Sequence, residues 1–166
     1  TLIAAINPCP CGYLGHPRRA CTCTQKQIAK YRHRISGPIL DRIDLTVMVA
    51  PVEVEKLSMT KEYSDQSMST KEAKAAVVRV RTIQAKRFIG TSLYTNSQMR
   101  NRDIKTHCLL TPEAENFLKM AAEKYDFSAR SYMRLIKVGR TIADLAGAKT
   151  IQPEHMAEAL QYKQLV

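Results

Sequence analysis

Apolar and polar positions follow two different rhythms along this chain. Residues 1–6 form a short, unbroken apolar run bounded by Pro8, which predicts a buried strand. Residues 45–49 alternate and are rich in β-branched types, which predicts a second strand ended by Pro51. From Ser69 onward the period lengthens to that of a helix. Ala73, Ala76, Val77, Val80 and Ile83 fall near 3.6 spacing and predict a helix over 71–88, stopped at Gly90. A short helix is expected over 101–108. Thr111-Pro112-Glu113 opens another, to about 125, and Ser128 caps the next, over 129–146, with Gly147 behind it. Gln152-Pro153-Glu154 opens the last, through about 161. The reading is five helices in a row, an all-α bundle of about a hundred residues.

Between the two strands the pattern breaks. Residues 7–24 hold three prolines, two glycines and four cysteines, the composition of a loop or knuckle. Thr24 is placed to cap a helix over 25–35. Ser36 is placed to cap a short one through Arg42, with Pro38 tolerated in its first turn. Residues 53–68 carry acid, Ser, Thr and Met without periodicity and read as a linker. The expected organisation is therefore 1–52, the end of an α/β unit; 53–68, a linker; and 69–166, a helical domain. The fold class is mainly α.

Composition narrows the partners. The 166 residues carry a formal net charge of +11, which favours anionic partners such as nucleic acid or nucleotide phosphates over a neutral one. The surplus is spread: residues 1–52 hold seven Lys and Arg against two Asp. No apolar run approaches the ~20 residues of a membrane span, and no signal peptide is visible, so no membrane partner is expected. Five cysteines, four of them within fifteen positions, are not a distributed disulfide framework. They suit a reducing cytoplasm, where clustered thiols read as metal ligands. No G-x-x-x-x-G-K-[ST] phosphate loop, G-x-S-x-G elbow or H-E-x-x-H occurs. Trp is absent, which argues against a stacking platform for single strands. The start at Thr1, inside an apolar run, reads as the C-terminal part of a longer chain.

Candidate chemistry concentrates in a few places. Cys9, Cys11, Cys21 and Cys23 supply four thiols from two Cys-x-Cys arms, with Pro10 stiffening the first and Gly12 and Gly15 free to turn the connection. Four soft ligands suit a structural zinc, with His16 as a substitute; reduced thiols packed in a loop, or disulfide or redox use, are the other readings. Asn7 ends the first strand before a proline. It either caps a turn or points into the crevice beyond the strand's carboxyl end, where an amide can meet a phosphate. Arg42, between Asp41 and Asp44, is either a local ion pair or an arginine offered to a transferring phosphoryl group. Arg130 lies in the first turn of the Ser128 helix, where a cation opposes the macrodipole. Arg134, Lys137 and Arg140 follow on the same helix as either a solvated face or a phosphate-binding row.

The strings Asn7-Pro8-Cys9-Pro10-Cys11-Gly12, Cys21-Thr22-Cys23, Ser36-Gly37-Pro38-Ile39-Leu40-Asp41-Arg42-Ile43-Asp44-Leu45, Ser128-Ala129-Arg130-Ser131-Tyr132 and Arg140-Thr141-Ile142-Ala143-Asp144-Leu145 resemble the magnesium-chelatase-like AAA+ ATPases, and within them the ComM/YifB branch tied to competence and recombination. The ending Glu158-Ala159-Leu160-Gln161-Tyr162 fits as well, so the resemblance covers almost the whole chain.

The resemblance implies the end of an AAA+ core followed by a helical lid. Asn7 would be the sensor-1 residue, Arg42 the arginine finger reaching a neighbouring subunit, and Arg130 the sensor-2 arginine. The Walker A and B motifs would lie upstream, so this stretch alone would not hydrolyse ATP while the full-length protein, with ATP and Mg2+, would. A hexameric ring acting on DNA by branch migration is the implied work. The four cysteines fit this branch rather than the true chelatase subunit. Two alternatives stand beside it: a zinc-knuckle nucleic-acid-binding module without enzymatic activity, and a chelatase or protein-remodelling ATPase.

Overall fold

The computed structural model describes residues 2–34, 37–40, 42–50 and 68–163. The fold is mainly α. The described residues divide into two compact units, one within Thr1–Ile43 and Val49–Leu57, the other within Asp44–Met48 and Ser58–Val166. The expected linker 53–68 lies, save for Met68, outside the described residues, as does the expected cap Ser36.

In the first unit, residues 7–24 form the loop, and α1 (Gln25–Arg32) follows. Thr24 caps it in a reciprocal box: the Gln27 N–H donates to Thr24 Oγ1, and Gln27 Oε1 accepts from the Thr24 N–H at 2.8 Å. α2 (Gly37–Leu40) is a single turn. Among the described residues of this unit only Cys9 and Ile28 are buried.

The second unit carries α3 (Thr70–Arg87), α4 (Asn101–His107), α5 (Pro112–Lys124), α6 (Ala129–Leu145) and α7 (Pro153–Gln161), with a 3-10 turn at Asn96–Gln98. The five expected helices are these. Their starts follow the caps: Ser69 boxes with Glu72, Thr111 accepts from the Ala114 N–H, and Ser128 accepts from the Ser131 N–H. α6 is the central element, packed on α7, α3, α4 and the 3-10 turn. Its inward face supplies Leu135, Ile136, Ile142 and Ala143 to a core completed by Leu118, Ile151 and Met156. Gly139 lets α7 approach: a Cβ there would lie 2.6 Å from Met156 Sδ. A short parallel bridge ties Leu110 to Ile151, with the Ile151 N–H donating to Leu109 O at 2.8 Å and the Thr111 N–H to Ile151 O at 3.0 Å.

Neither expected strand is present among the described residues. A strand exists only through its ladder, and the described residues give residues 2–6 no partner; Ile3 is 91% exposed. Residues 45–49 belong to no strand; the Thr46 N–H donates to the Tyr162 carbonyl at the end of α7, at 2.8 Å. Among the described residues no helix is long and apolar enough to cross a membrane.

Candidate functional site

The cysteine loop is built by turns that bring its two arms together. The Gly12 N–H donates to Cys9 O at 3.0 Å, and Gly12 and Gly15 adopt φ of 81° and 80°, which a side chain would strain. Between the arms, Arg19 donates to the Tyr13 hydroxyl at 2.8 Å and lies over its ring, while Tyr13 meets His16 edge-on. His16 turns Nδ1 toward the backbone N–H groups of Arg18 and Arg19, both at 3.1 Å, so that nitrogen is already engaged away from the thiols.

All four sulfurs, of Cys9, Cys11, Cys21 and Cys23, lie within 4.8 Å of one another. Cys9 is 3.4 Å from Cys11 and 3.7 Å from Cys21; Cys11 and Cys21 are 3.6 Å apart. Ligands about 2.3 Å from a tetrahedral centre stand about 3.8 Å apart, so the four thiols fit a single metal ion. They are free thiols rather than disulfides. Backbone N–H groups of Tyr13 and Thr22 donate to Cys11 Sγ and hold that thiol down to about 5. The Cys23 N–H lowers Cys21, but burial and the neighbouring thiols outweigh it and push Cys21 up to about 12. Those N–H donors are the part of the site that the residue pattern did not show. The fifth cysteine, Cys108, sits in the helical core, where burial pushes its thiol up to about 11.

The other candidates sit at element ends. Asn7 is exposed at the first position of the loop, with its amide near Gly12: a Cβ built there would be 3.9 Å from both Asn7 Cγ and Nδ2. Arg42 is exposed just after α2, its N–H donating to Ile39 O at 2.9 Å. In the second unit Asp44 pairs with Arg134 at 2.8 Å. Arg130 is exposed in the first turn of α6, a turn without any acidic residue.

The basic row behind Arg130 is engaged within the helical unit, and Arg140 turns inward rather than onto a solvated face. Arg134 holds Asp44, and Lys137 donates to Ser97 O at 3.0 Å. Arg140 is 1% exposed; it binds Asp144 one turn along and caps the carbonyls of Ala148 and Lys149. Asp144 also receives Arg87 from α3 and the Asn96 amide from the 3-10 turn at 2.8 Å. The signal for this network was present as Arg140 and Asp144 spaced i, i+4 among apolar neighbours. An open groove of about 490 Å³ borders it, lined by Lys86, Arg87, Asp144 and Lys149 among others, and Arg130 is not part of its wall.

Comparison with known proteins covers both units. The family described as magnesium chelatase, subunit ChlI C-terminal, matches residues 67–163, and the family described as magnesium chelatase, subunit ChlI, matches residues 1–57. The competence protein ComM of Haemophilus influenzae is 39% identical over 99% of this chain. The YifB proteins of Escherichia coli and Salmonella typhimurium are 34% and 32% identical over 98% of it. The chain spans 31% of the length of the first of these relatives and 30% of each of the other two.

Proposed function

The chain belongs to the magnesium-chelatase subunit ChlI family, in its ComM/YifB branch, and we propose that it is the nucleotide-sensing part of an ATP-driven ring motor acting on DNA. The supporting observation is a contrast along α6. Arg134, Lys137 and Arg140 are committed to Asp44, Ser97 and Asp144, whereas Arg130 is kept exposed at a helix start that repels it. A cation held against local preference suits an anion brought from outside.

In the full-length protein the substrate would be ATP with Mg2+, the ion neutralising charge on the β- and γ-phosphates. Asn7 would donate its amide to a γ-phosphate oxygen and orient the attacking water. Arg130 would bind phosphate from the same subunit's lid, so that closure of the lid reports the nucleotide. Arg42 would reach into the next subunit's site and stabilise charge on the transferring phosphoryl group, a contribution of about 10³–10⁵ in rate for such fingers. This sharing of a site demands a ring, and we assign a hexamer in the cytoplasm. The net charge of +11 supports a DNA partner, and the work we assign is branch migration in recombination or natural transformation, the last in keeping with the Haemophilus relative's name as a competence protein. The cysteine cluster supplies a place for Zn2+ beside Asn7.

The test uses the full-length protein. Arg42→Ala should abolish hydrolysis and spare nucleotide binding, and mixing such subunits with subunits that keep Arg42 but lack another catalytic group should restore turnover. DNA should stimulate the ATPase. Normal hydrolysis by the Arg42→Ala ring would sink the reading. DNA binding without ATPase would leave a zinc-knuckle binding module, and an ATPase indifferent to DNA would leave a chelatase or protein remodeller.

A further inference from the structure

Among the described residues of the cysteine loop's unit, Cys9 and Ile28 are buried, and the eighteen residues 7–24 include three prolines and four cysteines. A loop so dense in cysteine draws order from disulfides or a metal. Sulfur separations of 3.4–3.7 Å are far beyond the roughly 2.05 Å of a disulfide. They are also too close to surround a polynuclear iron–sulfur cluster, and they match the edges of a tetrahedron around one ion.

We infer that Cys9, Cys11, Cys21 and Cys23 bind one Zn2+ as a closed tetrathiolate, and that this ion is the brace that positions the Asn7 amide; the second half rests on the reading of Asn7 as the γ-phosphate sensor. Four protein thiolates leave no open coordination position, so the ion is structural and does no chemistry of its own. Binding releases the thiol protons and leaves a centre with a formal charge of about −2. The backbone N–H donors of Tyr13 and Thr22 on Cys11, and of Cys23 on Cys21, face that charge and orient the ligands.

The connection to Asn7 is short and stiff. Pro8 alone separates it from the ligand Cys9, and proline fixes its own φ. The turn from Cys9 to Gly12 is closed by a 3.0 Å hydrogen bond and contains the second ligand, Cys11. The Asn7 amide lies beside the far end of that turn: a Cβ built on Gly12 would be 3.9 Å from Asn7 Cγ and Nδ2, in ordinary contact. Removing the ion frees both ligands of the turn that lies beside the amide. A displacement of about 1 Å at a sensor costs on the order of 10²-fold in rate.

The experiment uses the full-length protein purified without chelator. Zinc should be present at one equivalent per chain. Replacement by Co2+ should give the visible absorption of a tetrahedral tetrathiolate. Both should be lost in Cys21→Ser, whose residue lies on the arm remote from Asn7, and kept in Cys108→Ala. Cys21→Ser should lower kcat by about 10²-fold at nearly unchanged ATP affinity, as Asn7→Ala does, and the double variant should be no worse than either single one. Zinc well under one equivalent, or no cobalt signature, overturns the site; because both are read on the unmutated protein, a variant that fails to fold does not blur them. Full kcat in Cys21→Ser beside an inactive Asn7→Ala overturns the brace and leaves the sensor standing. Full activity in Asn7→Ala overturns the sensor reading and the brace with it, while the metal count still decides the site.

Discussion

Arg87 on α3 grips both carboxylate oxygens of Asp144 on α6, and the Asp144 side chain has no exposed surface. The same carboxylate receives Arg140 from its own helix at 3.0 Å and Asn96 from the 3-10 turn at 2.8 Å. Three elements of the helical unit and, through Arg140, the carbonyls of Ala148 and Lys149 thus meet at one acid. Among the described residues, no buried side-chain polar atom is left without a partner. A network this complete specifies one packing of α3 on α6, because any other leaves a buried charge alone.

Replacing Asp144 by Ala should therefore destabilise the helical unit by about 3–5 kcal/mol, the usual cost of stranding a buried charge. Arg87 and Arg140 would both lose their partner. Denaturant unfolding followed by helical signal checks this, and a loss below about 1 kcal/mol would mean that the network is not the clamp.

The same acid sets a pH dependence. Burial pushes the Asp144 carboxyl up, but hydrogen bonds from Arg87 and Asn96 and the charges of Arg140 and Arg87 outweigh it and hold the group below its ordinary value. Its stabilising contribution is complete above the unfolded value of about 3.9 and is lost as pH falls from there through the folded value. Unfolding of the unmutated protein and of Asp144→Ala should differ fully at neutral pH and converge in acid. Parallel curves over the whole range would contradict the assignment.

Gly139 gives a second packing test. A methyl group at that position meets Met156 Sδ at 2.6 Å and Ile151 Cγ2 at 3.6 Å, both in the core where α7 rests on α6. Helix propensity favours Ala over Gly by about 1 kcal/mol, so an open site would gain stability on Gly139→Ala. Here overpacking of about 1–3 kcal/mol should win, and the thermal midpoint should fall. Gly139→Ala paired with Met156→Ala should recover part of the loss.

In the second unit α3 was legible from its apolar spacing, and α5, α6 and α7 because each begins at a residue that announces it: Thr111-Pro112, Ser128 and Gln152-Pro153 carry local cap chemistry that needs no tertiary context. Residues 2–6 and 45–49 were not, because an apolar run or alternation states a preference and a strand needs a partner. The four cysteines were legible as a group by type and spacing alone. Arg140 was misread with its neighbours because a basic residue three or four places from another reads as one face, although α6 winds Arg140 inward to meet Asp144. The Leu110–Ile151 bridge joins positions forty-one residues apart, which no local pattern encodes.

The cap at Thr111 should behave as a local device. It accepts the Ala114 N–H at 3.3 Å, and Pro112 at the first helical position removes one of the other donors that would need a partner. Thr111→Ala should cost about 1 kcal/mol of stability, and Thr111→Ser far less, since the serine hydroxyl can make the same bond. Equal losses for the two would assign the effect to the methyl group instead.

Arg130 separates stability from function. It is exposed in the first turn of α6, a turn with no acidic residue, where the positive end of the helix repels it. Arg130→Ala should leave the unfolding midpoint unchanged or raise it, by at most about 1 kcal/mol, since it removes an unfavourable charge. If Arg130 is the lid's phosphate contact, the same change in the full-length protein should weaken ATP binding or slow its hydrolysis sharply. Arg130→Lys should restore part of the binding, since a point charge still attracts phosphate, but not the two-pronged geometry of a guanidinium. A substitution that lowered stability and turnover together would instead mark Arg130 as a packing residue, and one that lowered neither would remove it from the proposed site.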